Sequence, residues 1–139
     1  MSKKQFFVLG IVISILIAPF IFAEEKHPIN KSTEKCMDES KCITSEMNKC
    51  LDKAISEWEV ELDKYYNLLM DVLDEEPKKK LKQSQSAWEK FRDLEFEFIP
   101  HYFKDIGSYI GPTIWGDKRN VIRARAIQLK FYYEVIKDE

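Results

Sequence analysis

Apolar residues recur at alternating spacings of three and four along much of this 139-residue chain. The longest series is Met47, Leu51, Ala54, Trp58, Leu62, Tyr65, Leu69 and Val72. On a helix such positions share one face, so the spacing predicts an amphipathic helix over about 44–74, with Thr44 or Ser45 offering the N-cap oxygen. Asp74-Glu75-Glu76-Pro77 ends it, because Pro77 disfavours helix at Glu76 and suits the first position of a new one. A second helix follows over about 78–99, with Leu81, Trp88, Phe91, Leu94 and Phe98 apolar and Lys78-Lys79-Lys80 opposing its dipole. Pro100 ends or kinks it. A third helix, about 118–137, is capped by Asp117 and carries Val121, Ile122, Leu129, Tyr132, Tyr133, Val135 and Ile136. Tyr132 and Tyr133 are adjacent, so both cannot face the core. There is no strand pattern of any length and no internal repeat. Short links make consecutive helices antiparallel neighbours. The expected fold is all-α, an antiparallel three-helix bundle.

The pattern changes at both ends of this unit. Residues 6–23 are almost entirely apolar, follow Lys3-Lys4, and end at Ile21-Phe22-Ala23 before Glu24-Glu25. That is the layout of a secretory signal peptide over 1–23. Eighteen apolar residues broken by Pro19 are at the lower limit for a spanning helix. No Cys follows to accept a lipid, so the expected location is periplasmic or secreted, without a membrane anchor after cleavage. Residues 24–43 are polar and read as an extended arm. Residues 44–139 form the helical domain.

Charge and cysteine content refine this picture. Removing 1–23 takes away Lys3 and Lys4, leaving 20 basic against 24 acidic residues, a net charge of −4. A mildly acidic, mixed-charge surface gives no reason to expect nucleic acid or an anionic membrane and favours a cationic partner. Cys36, Cys42 and Cys50 all lie in the exported part, where disulfides form. Cys50 sits about 8–9 Å up the helix from its start, and a disulfide needs Cα atoms within roughly 7 Å. Cys42 has little chain with which to fold back; Cys36 has more. Geometry therefore favours Cys36–Cys50, with Cys42 free and available for a disulfide-linked dimer. No His lies near these thiols to complete a zinc site.

The candidate chemistry is concentrated in residues 84–95. Gln85, Trp88, Arg92 and Glu95 are spaced three, four and three apart, on one helical face. Such a face is either a polar seam between helices or a ligand cleft. As a seam, Arg92 bridges to Glu59 or Asp63 on the first helix and Arg125 reaches in from the third, since arginine suits buried bidentate pairing. Glu57, Glu59, Glu61 and Asp63 spread around their helix and do not converge. His27 and His101 have no Ser or Cys partner at a recognisable spacing. There is no phosphate loop and no metal-ligand motif, so neither catalysis nor a cofactor is expected. Residues 104–117 hold three of the four glycines and read as a loop. Gly107, Ser108, Tyr109, Ile110 and Trp115 either form a partner-binding surface or fold inward to close the bundle.

Taken in order, these pieces resemble the LprI-type lysozyme-inhibitor N-terminal domain family over roughly residues 42–130. Thr44 to Cys50 matches its opening, followed by Glu59, Leu62, Asp63 and Tyr66. Gln85, Trp88, Phe91-Arg92-Asp93 and Glu95 match its central signature, and Gly107-Ser108, Arg125 and Leu129 its later positions. The family usually carries a second cysteine pair, one just after the acid of the Trp motif and one near the start of the last helix. Here Phe96 and a position near Gly116 or Asp117 stand instead, with packing by Phe96 and Trp115 expected to offset the loss. The resemblance implies pairing of the remaining N-terminal cysteine with Cys50, in agreement with the geometric choice. It also implies an exported, non-enzymatic binding protein whose partner is a lysozyme or other muramidase. The alternative is a periplasmic or secreted interaction module with an unrelated partner.

Overall fold

A computed structural model describes residues 27–107 and 110–138. Among them stand four helices and no strand: α1 (Pro28–Glu39), α2 (Thr44–Val72), α3 (Glu75–Tyr102) and α4 (Gly111–Lys137). The signal-peptide reading of residues 1–23 falls outside the described residues. No helix of the described residues is long and apolar enough to cross a membrane.

The chief correction is the arm, most of which is helical. Pro28 occupies the first helical position, where its missing N–H is not needed, and the His27 ring accepts the Ile29 N–H through Nδ1 at 3.3 Å. Burial lowers the His27 pKa below its ordinary value, with Glu61 acting in the opposite sense. This favours the neutral ring that the cap requires. Only Ile29 and Thr33 of α1 are buried, and the Thr33 hydroxyl donates to the Ile29 carbonyl at 2.7 Å. The α1 helix runs back along α2, tied by the Cys36–Cys50 disulfide and by stacking of His27 on Trp58 with centroids 4.5 Å apart. The disulfide is the pairing expected from sequence, and Cys42 is free and exposed.

The α2 helix forms as its spacing dictates, burying Leu51, Ala54, Ile55, Trp58, Leu62 and Leu69. Its N-cap is Ile43, without a side-chain hydrogen bond, rather than Thr44 or Ser45. It packs most extensively on α4. The two run parallel, with Asn48 beside Gly111 at one end and Tyr65 6.1 Å from Tyr133 towards the other. Gly111 permits that approach, because a Cβ there would lie 2.9 Å from Asn48 Nδ2. On α4, Ile122, Ala126 and Leu129 complete the core. Of the adjacent tyrosines, Tyr133 packs on the core while Tyr132 is exposed.

The α3 helix starts three residues before its expected start. Pro77 lies within the first turn, where N–H groups lack helical acceptors in any case. The early start also resolves the charge mismatch. Glu75 and Glu76 occupy the positive end of the dipole, and Lys78 and Lys80 reach back to them at 3.8 and 3.9 Å. Pro100 does not end the helix, which continues to Tyr102. The face α3 turns inward is Leu81, Gln85, Trp88, Phe96 and Ile99; of its apolar positions, Phe91, Leu94 and Phe98 are exposed. Residues 104–117 are not a continuous loop, since α4 already begins at Gly111 and includes Trp115, Gly116 and Asp117. The fold is all-α as expected, but among the described residues it has four helices where three were expected, the extra one being the disulfide-tied α1.

Candidate functional site

The polar seam lies between α3 and α4, two helices that run antiparallel. Arg125 is buried, and its guanidinium reaches three neutral acceptors. Nε donates to Gln85 Oε1 at 3.1 Å, Nη1 to Gln128 Oε1 at 2.6 Å and Nη2 to Ser84 Oγ at 3.2 Å. Gln85, itself buried, passes the connection on from Nε2 to Glu89 Oε1 at 3.4 Å. Trp88 takes cations on its ring from both sides of the seam, Arg92 at 5.5 Å and Arg125 at 5.9 Å from the centroid. Desolvation by burial lowers the Arg125 pKa, with Tyr132 acting the other way. The group nevertheless remains a cation, because arginine starts so high.

Arg92 does not bridge to α2. It donates to Asp93 on its own helix, from Nε at 2.9 Å and Nη2 at 2.7 Å. Glu59 and Asp63 are exposed and stand on the far wall of a cleft of about 150 Å³ between α2 and α3, opposite Gln85, Trp88, Glu89 and Arg92. Glu95 is not in this cleft. It lines a separate groove of about 350 Å³ with Asp117, between α3 and α4. Steps of 100° per residue accumulate, so ten residues of helix turn Glu95 about 80° away from Gln85. The four-residue face read from the sequence is therefore split by the ridge of α3.

The 103–110 connection joins α3 to α4 at one end of the bundle. Residues 104–107 are exposed, and Gly107 has φ 98°, a left-handed conformation that favours glycine. Ser108 and Tyr109 lie outside the described residues. Ile110 is the half-buried N-cap of α4, and Trp115 packs against the core from within that helix. Among the described residues, no group of three His, Cys, Asp or Glu side chains is placed to hold a metal ion.

The model of the family described as "Lysozyme inhibitor LprI" matches residues 36–129, more than half of the chain. The chain belongs to the LprI family. No curated protein and no solved structure matches it. The matched region runs from the first cysteine of the disulfide to buried Leu129, and so takes in the whole seam.

Phe96 and Trp115, the residues at and near the positions where the resemblance led to the expectation of a second cysteine pair, share one cation. Lys118 Nζ lies 5.1 Å from the Phe96 centroid and 5.8 Å from that of Trp115, joining α3 to the first turns of α4. Both rings also pack against the core. Sequence reading missed Ser84 and Gln128, two of the three partners of Arg125. Gln128 lies three residues on from Arg125, a spacing that brings side chains together on a helix.

The seam makes an unusual substitution pattern testable. Arg125→Ala should cost about 2–4 kcal/mol, since it opens a void and leaves Gln85 without its donor. Arg125→Met should cost less than about 1.5 kcal/mol, because it keeps the packing and removes a desolvated charge that has no direct carboxylate partner among the described residues. Urea unfolding of the two variants measures the difference, and equal losses would show that the charge itself holds the seam.

Proposed function

We propose that this protein is exported and inhibits a lysozyme or related muramidase by binding it, without catalysis of its own. The observation that carries this reading is the family match, which spans the disulfide and the helical scaffold. The arrangement of acidic groups supports the non-enzymatic part. Glu59, Asp63 and Glu89 are exposed around a small cleft, while Glu95 faces a different groove. Glycoside hydrolysis needs one of two flanking carboxyls held protonated in a dry pocket, whereas Glu59, Asp63 and Glu89 stand open to water.

In this reading the contact is made at the bundle end that carries Gly107, Ser108, Tyr109 and Ile110. A short connection between two helices that pack on each other limits the chain entropy lost on entering a concave glycan cleft. The mild acidity of the exported chain would steer it towards a basic enzyme. Trp115 supports the connection from within α4 rather than touching the partner.

The test is a lysis assay in which protein recovered after export is titrated against several lysozymes. A saturable fall in lysis rate is expected, and Tyr109→Ala should weaken it by about tenfold. Neither inhibition nor binding at micromolar concentrations would overturn the proposal. Binding without inhibition would favour an interaction module for a different step.

A further inference from the structure

We infer that the groove between α3 and α4, beside the 103–110 connection, takes a lysine or arginine side chain of the partner. This rests on the reading above, in which the partner is a cationic muramidase. The α3 helix carries an apolar stripe that no part of the described chain covers. Phe91, Leu94, Phe98 and Tyr102 are 50, 66, 57 and 66% exposed. Their spacing of three and four keeps them on one flank, roughly 16 Å long from Phe91 to Tyr102 at 1.5 Å per residue. Exposed apolar surface of this continuity marks an interaction site.

The stripe borders the groove of about 350 Å³ lined by Glu95, Phe98, Ile99, Tyr102, Asp117 and Val121. Neither Glu95 nor Asp117 has an ion pair or hydrogen bond from a side chain among the described residues. The nearest candidate cations in sequence are already engaged. Arg92 holds Asp93, and Lys118 lies over the rings of Phe96 and Trp115. The aromatic set is preformed, with Phe98 and Tyr102 5.7 Å apart and Phe103 edge-on to Tyr102 at 4.9 Å. Two uncompensated carboxylates beside aromatic faces are the chemistry that recognises a guanidinium or ammonium group.

The same charges argue against a second copy as occupant. A two-fold interface buries the same patch from both copies, so it would gather four carboxylates, two Glu95 and two Asp117, while the groove lining supplies no cation. The other apolar groove, lined by Leu69, Leu73, Leu81, Phe131, Val135 and Ile136 at the far end of the bundle, has no carboxylate in its lining and lacks this selectivity. The charged groove also adjoins the connection assigned to inhibition, since Tyr102 and Phe103 belong to both neighbourhoods. One partner could therefore engage the two together.

The test is calorimetric titration of a basic lysozyme with exported wild-type protein and three variants, at low and physiological salt. Glu95→Gln with Asp117→Asn should weaken binding roughly 10- to 100-fold and flatten its salt dependence. Phe98→Ala should weaken it by about tenfold. Asp52→Asn with Asp71→Asn removes the same charge from exposed α2 positions and should change binding by less than about twofold. Wild-type binding that both groove variants retain in full would overturn the groove assignment and leave the inhibitor reading standing. A wild-type protein that binds no lysozyme would overturn both. A sedimenting dimer that Phe98→Ala dissolves would give the stripe to a second copy, and so overturn the assignment.

Discussion

Trp58→Ala is expected to lower the unfolding free energy by about 3–5 kcal/mol, the range for truncating a large buried aromatic. Trp58 is only 1% exposed and stands where three helices meet. His27 stacks on it from the start of α1, Arg123 of α4 lies over its ring at 5.9 Å, and Leu62 shares its face of α2. Removing the indole opens a void that long, mutually packed helices cannot close by local shifts. Trp58→Phe provides the contrast. The indole Nε1 is buried without a hydrogen-bond partner among the described residues, so replacing the ring by a phenyl group removes an unsatisfied donor along with some volume. Its expected cost is below about 2 kcal/mol. Chemical denaturation of both variants checks the ordering. A Trp58→Ala protein within about 1 kcal/mol of wild type would mean that α1 does not close over this part of the core.

Replacing Cys36 and Cys50 together by Ser is expected to cost about 3 kcal/mol, the loop-closure value for a crosslink of this span. The two cysteines are 14 residues apart in sequence. The loss should be local as well as global. With 12 residues, α1 is too short to be helical alone, and it docks through little more than Ile29, Thr33 and the His27 cap. The α2–α4 pair, by contrast, keeps its own core through Leu62, Leu69, Ile122 and Leu129. Hydrogen exchange of the reduced or substituted protein should show residues 28–39 exchanging near the free-peptide rate while α2 and α4 stay protected. Uniform loss of protection across all four helices would contradict this division.

The sequence made α2 and α4 legible because their apolar positions recur with helical period over many turns. It left α1 unread for a physical reason. A helix that buries two residues and draws its hold from a crosslink leaves almost no periodic trace. The available signal was His27-Pro28, a cap followed by proline at the first helical position. The start of α3 was misplaced because Pro77 was read as excluding helix before it, whereas the first turn tolerates proline. The apolar spacing of α3 does not mark its inward face. Phe91, Leu94 and Phe98 have core-like spacing, yet α3 touches the rest of the bundle on one side only and leaves them outside.

The site residues divide in the same way. Gln85, Trp88 and Arg125 were identified together, and the structure joins them, but through α4 rather than by carboxylates of α2. Arg125 and Gln85 are 40 residues apart, and no local pattern fixes which arginine meets which partner across that distance. Glu95 shares the spacing of the motif but falls on the other side of the helical ridge. Asp117, read as a helix cap, proves to be its companion across the groove. A seam of this kind accounts for the aromatic-plus-polar signature without requiring it to bind anything. Exposed apolar surface among the described residues lies on the α3 stripe with its adjoining groove and, at the other end, around Phe131, Tyr132, Val135 and Ile136.

The most direct measurement is steady-state hydrolysis of a soluble oligosaccharide by a basic lysozyme at rising concentrations of this protein. Blocking of the glycan cleft predicts a competitive pattern, with apparent KM increasing in proportion to inhibitor and kcat unchanged. Kinetics that stay the same at saturating concentrations of the protein would contradict the account.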